Sequence, residues 1–572
     1  MKWIFSYLSP LKSRITVGVL IKVIGTVAEL MIPFILSHIL ENVIHEGRIE
    51  YILFYGILMA LCAAVACLGN IIANRMAAKT TMIFSSEMRR ELFSKTLHLS
   101  ARNTDKFTIP SLESRITSDT YNVQNFIGMM QRMGIRAPIL LLGGSIITLI
   151  MDRMLALVMI ATLPLIFIVV YSISRMGVPL YSKVQASVDG MVRVVREDAQ
   201  GIRVIKALSK VEYENQRYDK ANAELKKNES LAGIIMGSVN PLMNLLMNGG
   251  IVAVIAVSAY FVSTGTSSAT TVIAFMQYFT LISMAMMSLS RMFVMYTKCA
   301  ASAKRICEVI ECENELTPCE DDGEGNPELH ISFERVSFSY LGKKNNLKDI
   351  SFCLRKGEHL GIIGATGSGK STLLRILMRF YDTDSGIVRI NGKDVRSYDR
   401  EELTSMFGAV FQNDFIYADS IEENIRFGRE LSAEEITEAA KIAQAHDFIT
   451  AFSEGYSYPV SSGGTNLSGG QKQRLLISRA VAGRPEILVL DDSSSALDYR
   501  TDANLREALA KSLPNSTVIT VAQRVSSVKG CDLILVIDDG EIIGHGKHEE
   551  LLRDCSEYKE ISDSQMGGAF LE

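Results

Sequence analysis

The residues from Gly364 to Ser371 have the types and spacing of a loop that binds phosphate groups. Their sequence fits the pattern G-x-x-x-x-G-K-[ST], and Thr372 follows: Gly364, Ala365, Thr366, Gly367, Ser368, Gly369, Lys370, Ser371. Glycines let backbone N–H groups surround phosphate oxygens, Lys370 reaches the outer phosphates, and the Ser371 hydroxyl ligates Mg²⁺. A strand pattern precedes the loop and a helix pattern follows it, so we expect a site for a nucleotide with Mg²⁺.

Two further segments supply side chains for such a site. The apolar run Ile487 to Leu490 is followed by Asp491 and Asp492, and the string FGAVFQ ends at Gln412. A loop of this kind requires an acidic residue at a strand end, and Asp491 would hold Mg²⁺ through a water molecule. Metal ligation is therefore expected from Ser371 and Asp491.

The phosphate loop, the string LSGGQ from Leu467 to Gln471 and the strand ILVLDD, in this order, resemble the nucleotide-binding domain of ABC transporters. The resemblance implies ATP and Mg²⁺ as cofactors, adenine stacking on Tyr340, and a Mg²⁺- and water-sensing role for Gln412. It also implies that two such domains pair head to tail. In that pairing the signature closes on ATP held by the partner, through Ser468, Gly469, Gly470 and Gln471.

The chain departs from the family pattern where hydrolysis takes place. The family usually has Glu at position 492 and His at position 523, and this chain has Asp492 and Gln523. Asp is shorter than Glu by one C–C bond, roughly 1.5 Å, and a catalytic base must reach the attacking water. Gln cannot carry the positive charge available to His. We therefore expect a degenerate site that binds ATP and hydrolyses it weakly.

The N-terminal half has the composition of a membrane domain. Residues 1–305 contain 31 Lys and Arg against 18 Asp and Glu, a net charge of +13, and the remainder has −17. Six apolar segments, most of them reaching the roughly 20 residues that cross a bilayer, are predicted at 15–40, 51–74, 133–151, 154–174, 231–263 and 269–296. No clustered basic stripe of a nucleic-acid-binding protein is present, so no nucleic-acid partner is expected.

Basic residues set the expected orientation. They concentrate at the N-terminus and in the connections after the second and fourth segments, whereas the opposite side has few. By the positive-inside rule both termini lie in the cytoplasm. The segments Ser111 to Phe126 and Arg196 to Glu214 resemble the two intracellular loops of the exporter family. The resemblance places coupling helices at Asn103–Phe107 and Gly201–Ser209.

Polar side chains inside the apolar segments are candidates for a translocation cavity. Ionisable groups at membrane depth are costly, so they face a cavity or a partner, and interhelical ion pairs or hydrogen bonds that fix packing remain the alternative. Asn240, Asn244 and Asn248 form a stripe at i, i+4, i+8. The other candidates are Lys22, Glu29, Arg132, Arg136, Gln277 and Arg291.

The sequence therefore predicts a multidomain chain: an all-α six-helix transmembrane domain with long cytoplasmic helix extensions (1–310), a linker (311–328) and an α/β P-loop ABC nucleotide-binding domain (329–572). The resemblance implies one subunit of a heterodimeric exporter in the plasma membrane. Its partner would be a second half-transporter carrying Glu and His, and its cargo a small molecule, lipid or peptide. An importer on the same fold, or an ATP-gated regulatory or channel-like protein, remains open.

Overall fold

The computed structural model describes residues 2–567 except 45–46, 264–268, 314–315, 317, 322, 324, 341, 343–344 and 494. The described chain divides into two units. The first comprises residues 1–98 and 108–312, and the second comprises 99–107 and 313–572. The segment 99–107 lies inside the N-terminal half of the sequence and nevertheless belongs to the second unit. The predicted domain boundaries remain predictions.

The first unit is built from helices, most of them long. They are α1 (Lys2–Leu8), α2 (Lys12–His38), α3 (Ile49–Leu97), α5 (Ile109–Ser114), α6 (Thr120–Met151), α7 (Arg153–Ala207), α8 (Val211–Gly237), α9 (Val239–Ser263) and α10 (Ala269–Ile310), with α4 (Ala101–Phe107) in the second unit. A π-helical turn, Ile39–Val43, extends α2.

Within the described residues, six helical stretches are long and apolar enough to cross a membrane. They are Trp3–Val43, Ile49–Leu97, Ile109–Met151, Arg153–Ala207, Val211–Tyr260 and Thr271–Ile310. Exposed apolar side chains on α3, such as Leu53, Ile57 and Leu61, recur every four residues, as expected of a helix face turned to lipid. The predicted six-helix membrane domain is confirmed. Residues 264–268, between the last two predicted segments, lie outside the described residues.

The second unit is a mixed α/β domain. Its strands are β1 (Ile331–Phe338), β2 (Leu347–Leu354), β3 (His359–Ile363), β4 (Ser385–Ile390), β5 (Lys393–Asp394), β6 (Phe407–Val410), β7 (Ile487–Asp491), β8 (Thr517–Val521), β9 (Leu533–Asp538) and β10 (Glu541–Gly546). Its helices, after α4, are α11 (Lys370–Leu377), α12 (Arg400–Ser405), α13 (Ile421–Arg426), α14 (Ala433–Ile442), α15 (His446–Thr450), α16 (Gly469–Val481), α17 (Tyr499–Ser512), α18 (Val525–Val528), α19 (His548–Asp554) and α20 (Ser556–Gly567).

The described strands of this unit form two sheets. An antiparallel sheet has the order β2-β1-β4-β5, and a second has the order β10-β9-β3-β8-β7-β6, in which β10 is antiparallel to its neighbour and the others run parallel. Strand β7 is buried along its whole length, as expected when helices cover both faces of a parallel sheet. The central strands β3, β7 and β8 therefore end at one edge, which is where open α/β sheets bind ligands. The predicted fold class is confirmed.

Candidate functional site

The phosphate loop connects β3 to α11, and its glycines are required by the backbone. Gly364, Gly367 and Gly369 have φ angles of +154°, +86° and +108°. A Cβ at position 364 would lie 2.0 Å from the carbonyl oxygen of Ile537, and one at position 369 would lie 2.8 Å from that of Asn346. The loop therefore forms a backbone cradle that side chains would fill, which fits the phosphates of a nucleotide.

A cavity of about 280 Å³ opens at this edge of the sheet. It is lined by predicted residues Thr366, Gly367, Gly369, Lys370, Ser371, Thr372, Gln412, Asp491, Asp492 and Gln523, together with Asn346, Val521 and Ala522. Other predicted residues do not line it: Gly364, Ser368, Tyr340, Ser468, Gly469, Gly470 and Gln471. The structure thus brings together the loop, the two carboxylates and both glutamines.

Charge in the cavity comes from Lys370 and Asp491. The Lys370 ammonium donates to the carbonyl oxygens of Gly364 (2.9 Å) and Ala365 (2.6 Å). Burial lowers the pKa of Lys370, and Asp491 and Asp492 oppose that change. Burial raises the pKa of Asp491, and a hydrogen bond from Ser371 partly offsets it. Ser371 and Asp491 thus place a hydroxyl and a carboxylate side by side, the oxygen ligands that suit Mg²⁺.

Asp492 and Gln523 are in direct contact. Asp492 follows β7 and Gln523 lies two residues after the neighbouring parallel strand β8. The Gln523 Nε2 donates to the Asp492 Oδ2 at 3.0 Å, and a carboxylate requires the amide nitrogen on this side. Burial raises the pKa of Asp492, while the Gln523 hydrogen bond and Lys370 lower it. The carboxylate at the position of the family's base is therefore already hydrogen-bonded inside its own domain.

Tyr340 lies beside the cavity rather than in its lining. Its ring packs edge-on against Phe338 and Tyr381, with centroids 4.9 and 5.1 Å away. Its hydroxyl lies 3.2 Å from the Thr372 Oγ1 and accepts from the Arg375 guanidinium at 3.2 Å. In this conformation the ring is part of an aromatic cluster, and adenine stacking on it stays a prediction.

The signature segment begins α16 with a double cap. The Gln471 backbone N–H donates to the Ser468 hydroxyl (3.3 Å), and the Ser468 N–H donates to the Gln471 side chain (2.9 Å). This capping box satisfies two N–H groups that the helix start would otherwise leave without partners. Ser468 and Gly469 are exposed. The segment is thus a rigid, exposed surface separate from this chain's own phosphate cavity.

Two glutamines that sequence reasoning missed make hydrogen bonds to the backbone at Asp492 and Gln523. The Gln473 side chain, on α16, donates to the Asp492 carbonyl at 3.3 Å. The Gln565 side chain, on α20, donates to the Gln523 carbonyl and accepts from the Val525 N–H, each at 2.8 Å. Neither belongs to a sequence motif, so no local signal in the chain could have identified them.

The predicted first coupling segment, Asn103–Phe107, lies within helix α4 of the second unit. Asn103 is buried, and its amide donates to the Glu313 carbonyl at 3.2 Å. The Tyr381 hydroxyl donates to the Asp105 carboxylate at 2.5 Å, and burial together with this carboxylate raises the pKa of Tyr381. The second predicted segment, Gly201–Ser209, does not form a separate helix: it is the end of α7 and the turn after it.

Four of the nine polar residues predicted inside the membrane helices have hydrogen-bond or ion-pair partners in the first unit. Glu29 and Arg136 form an interhelical ion pair at 2.5 Å, and the Lys22 ammonium donates to Asn70 and Asn74. Asn244, Asn248 and Arg291 are exposed, and the side chain of Asn240 lies outside the described residues. Glu29 and Arg136 therefore make the kind of interhelical ion pair that fixes helix packing.

Comparisons with known proteins match both halves of the chain. Residues 15–286 match the model of the ABC transporter transmembrane region, and residues 347–495 match that of the ABC transporter. YfiB of Bacillus subtilis, an uncharacterized ABC transporter ATP-binding protein, is 33% identical over 99% of both chains. The putative ABC transporter ATP-binding protein exp8 of Streptococcus pneumoniae is 31% identical over 99% of this chain and 97% of its own. A bacterial Atm1-family ABC exporter with ATP bound has the same fold, with a TM-score of 0.82 and 23% identity over 97% of this chain and 98% of its own.

Proposed function

The chain belongs to the ABC transporters, and we propose that it is the weakly hydrolysing subunit of a heterodimeric exporter. It has a membrane domain fused to a nucleotide-binding domain on an exporter fold. The observation that carries the proposal is the 3.0 Å hydrogen bond between Gln523 and Asp492 beside an otherwise complete phosphate cavity. ATP would bind in this cavity without being hydrolysed efficiently.

Two physical effects weaken hydrolysis at this site. Asp492 is shorter than Glu by roughly 1.5 Å, and a displacement of about 1 Å of a catalytic group can reduce a rate about a hundredfold. The amide of Gln523 also occupies one carboxylate oxygen and stays neutral at every pH. A base that is short and already hydrogen-bonded is poorly placed to orient a water molecule for attack.

The intact signature argues for a second, active site. Ser468, Gly469 and Gly470 form a capped helix start at which Ser468 and Gly469 are exposed, and helix N-termini stabilise phosphate groups. In a head-to-tail dimer this surface completes the partner's ATP site, to which the partner contributes Glu and His. ATP held at Lys370 would keep the two domains associated while hydrolysis at the partner's site switches the membrane domains.

We propose that this transporter lies in the plasma membrane with both termini in the cytoplasm, and the charge pattern supports that orientation. Basic residues dominate the connections after the second and fourth spans, for example Arg89, Arg90, Arg193 and Arg196. Such residues are retained on the cytoplasmic side during insertion. The nucleotide-binding domain then lies where ATP is available, and an amphipathic or hydrophobic substrate moves outward.

The test restores the family's residues in this chain. The double variant Asp492→Glu with Gln523→His is purified with its partner, in which the catalytic Glu is changed to Gln so that only the Lys370 site can turn over. We expect ATPase activity to rise at least tenfold over the same complex with the native chain, since general-base catalysis contributes about 10²–10⁴. The matched control, Asp554→Glu with Gln216→His, makes the same changes at two exposed positions and should leave activity unchanged. Equal activity of the restored and native complexes would refute the proposal.

A further inference from the structure

The membrane helices contain more cations than anions. Within the predicted apolar segments Glu29 is the only acidic residue, whereas Lys22, Arg136 and Arg291 lie in them and Arg132 is one residue away. Ionisable groups at this depth are retained when they meet a partner or a substrate. The cationic cluster, defined here as Lys22, Arg132 and Arg136, belongs to α2 and α6 of the first unit.

Lys22 is buried against neutral groups. Its residue is 3% exposed, and its ammonium donates to the Asn70 Oδ1 at 2.7 Å and the Asn74 Oδ1 at 3.1 Å. Among the described residues, no ion pair joins Lys22 or Arg132 to a carboxylate. Two amide oxygens satisfy hydrogen bonds of the ammonium without neutralising its charge. The Lys22 ammonium is thus held in place by two neutral acceptors.

The backbone explains why Lys22 sits there. A Cβ at Gly69 would lie 3.2 Å from the Gly25 Cα, so helices α2 and α3 are in backbone contact at these glycines. Small residues permit such close approach between membrane helices. Lys22 precedes Gly25 by three residues, about one turn, and Asn70 directly follows Gly69. Close packing therefore fixes the ammonium against the asparagines.

The other two cations differ in how they are compensated. Arg136 forms the ion pair with Glu29, at 2.5 and 3.2 Å. The Arg132 Nε donates to the Gly128 carbonyl at 3.0 Å, one turn back on its own helix, and the residue is exposed. Glu29 lies two turns after Lys22 on α2, and Arg132 lies one turn before Arg136 on α6, so the Glu29–Arg136 contact brings the cations of the two helices near one another. One carboxylate for three cations leaves a local charge of +2.

In the proposed orientation the cluster would extend from the cytoplasmic side of the membrane toward its middle. Asn70, beside Lys22, lies 21 residues after the start of α3, roughly 32 Å along the helix at 1.5 Å per residue. Arg136 lies 15 residues before the end of α6, roughly 22 Å from that end. With both termini in the cytoplasm, these ends face outward, and the hydrocarbon core is about 30 Å thick.

We propose that Lys22, Arg132 and Arg136 bind the carboxylate or phosphate group of an amphipathic anion, which the transporter carries. Transport of the anion rests on the proposed function, whereas binding of the anion at these cations does not. Guanidinium groups bind carboxylate and phosphate through paired, charge-assisted hydrogen bonds. The apolar part of the anion would lie among the apolar side chains of the membrane-spanning helices. The anion is either a lipid headgroup of the cytoplasmic leaflet or a free amphiphile.

The test measures binding without turnover. The full chain with its partner, held in phosphatidylcholine nanodiscs, is titrated with ³²P-labelled dodecyl phosphate, and binding to empty discs is subtracted. We expect unlabelled dodecyl phosphate to compete and dodecyltrimethylammonium, with the same chain and opposite charge, to fail. The variant Lys22→Gln with Arg132→Gln should bind at least tenfold more weakly. Arg132→Lys, which keeps the charge but loses the paired guanidinium hydrogen bonds, should bind less tightly than the native protein and more tightly than the double variant. Arg153→Gln, which removes an exposed cation outside the cluster, should bind as the native protein does.

Each outcome decides a point. If phosphatidylglycerol in the discs competes with dodecyl phosphate, and this competition is lost in the double variant, the anion is a lipid headgroup. If phosphatidylglycerol does not compete, the anion is a free amphiphile. Equal affinity for the two dodecyl compounds, or unchanged affinity in a double variant that still binds ATP and elutes as a folded complex, overturns the proposal. Because no hydrolysis is measured, a failure of the asymmetric-ATPase proposal leaves this result standing, and the reverse also holds.

Discussion

At the scale of single residues, we expect ATP binding at the proposed site to depend most directly on Lys370. Its ammonium already lies against the loop carbonyls of Gly364 and Ala365, and burial lowers its pKa. Anionic phosphates would exchange these neutral acceptors for charged ones. A hydrogen bond to a charged group contributes about 1.5–3 kcal/mol, so this side chain should account for much of the affinity.

We expect Lys370→Ala to weaken ATP binding to this chain about 10- to 100-fold, which is that free energy expressed as affinity. Photolabelling of the complex with 8-azido-ATP measures it, since gel electrophoresis separates this chain from its partner. Lys511→Ala removes an exposed lysine from α17 and should label normally. Undiminished labelling of the Lys370→Ala chain would mean that ATP is held elsewhere.

Site residues were predictable from sequence where the backbone imposes a residue type. The loop glycines have positive φ angles and close carbonyl neighbours, so other residues would be strained there and the spacing of the glycines follows from the loop geometry. Asn346 and Gln565 could not be predicted, because each reaches the site through the fold rather than through a local pattern. The Gln523–Asp492 contact was also not predicted, although both residues had been singled out.

Helix α20 fixes the segment that follows strand β8. Gln565 makes two hydrogen bonds to the backbone of Gln523 and Val525. A neutral hydrogen bond contributes about 1 kcal/mol, and a loss of 1–2 kcal/mol changes a local opening equilibrium about 5- to 30-fold. We expect Gln565→Ala to speed hydrogen exchange at residues 521–528 within that range. Ser564→Ala, an exposed change on the same helix, should leave exchange as in the native chain, and the same result for Gln565→Ala would rule out the clamp.

The contact between α2 and α3 depends on glycine at one position. Because a Cβ at Gly69 would lie 3.2 Å from the Gly25 Cα, any larger side chain must separate the helices. We expect Gly69→Leu to destabilise the membrane domain by about 1–3 kcal/mol, seen as a lower thermal midpoint in size-exclusion stability assays. Gly56→Leu is the matched control on the same helix, since a Cβ there meets no atom within 4 Å. Equal midpoints would show that this contact is not tight.

Elements were predictable in proportion to their length. Six apolar stretches longer than a bilayer allow few alternatives to spanning helices. The short segment Gly201–Ser209 was expected to form its own helix and instead ends α7, because its local sequence continues the helical pattern of the preceding residues. The order of strands in the central sheet depends on crossovers between distant segments, which no local periodicity specifies.

At the scale of the whole molecule, the proposed function requires asymmetry between two subunits. The first 305 residues carry +13 and the rest −17, as expected for a chain with one half in a membrane and one in the cytoplasm. The chain offers an exposed, intact signature at Ser468 and a hydrogen-bonded Asp492 at its own cavity. Under the proposed function, another chain supplies the catalytic residues that this one lacks.

We therefore expect the purified chain to be nearly silent as an ATPase in nanodiscs, and to become active when co-expressed with a half-transporter that carries Glu and His at the corresponding positions. The reason is that hydrolysis needs a base within reach of the water, and two copies of this chain provide Asp492 at both sites. Steady-state phosphate release from the chain alone and from the pair measures the difference, and Lys370→Ala in the pair tests whether the bound nucleotide is needed. A homodimer with ordinary turnover would show that Asp492 and Gln523 support hydrolysis, and the asymmetric assignment would then be wrong.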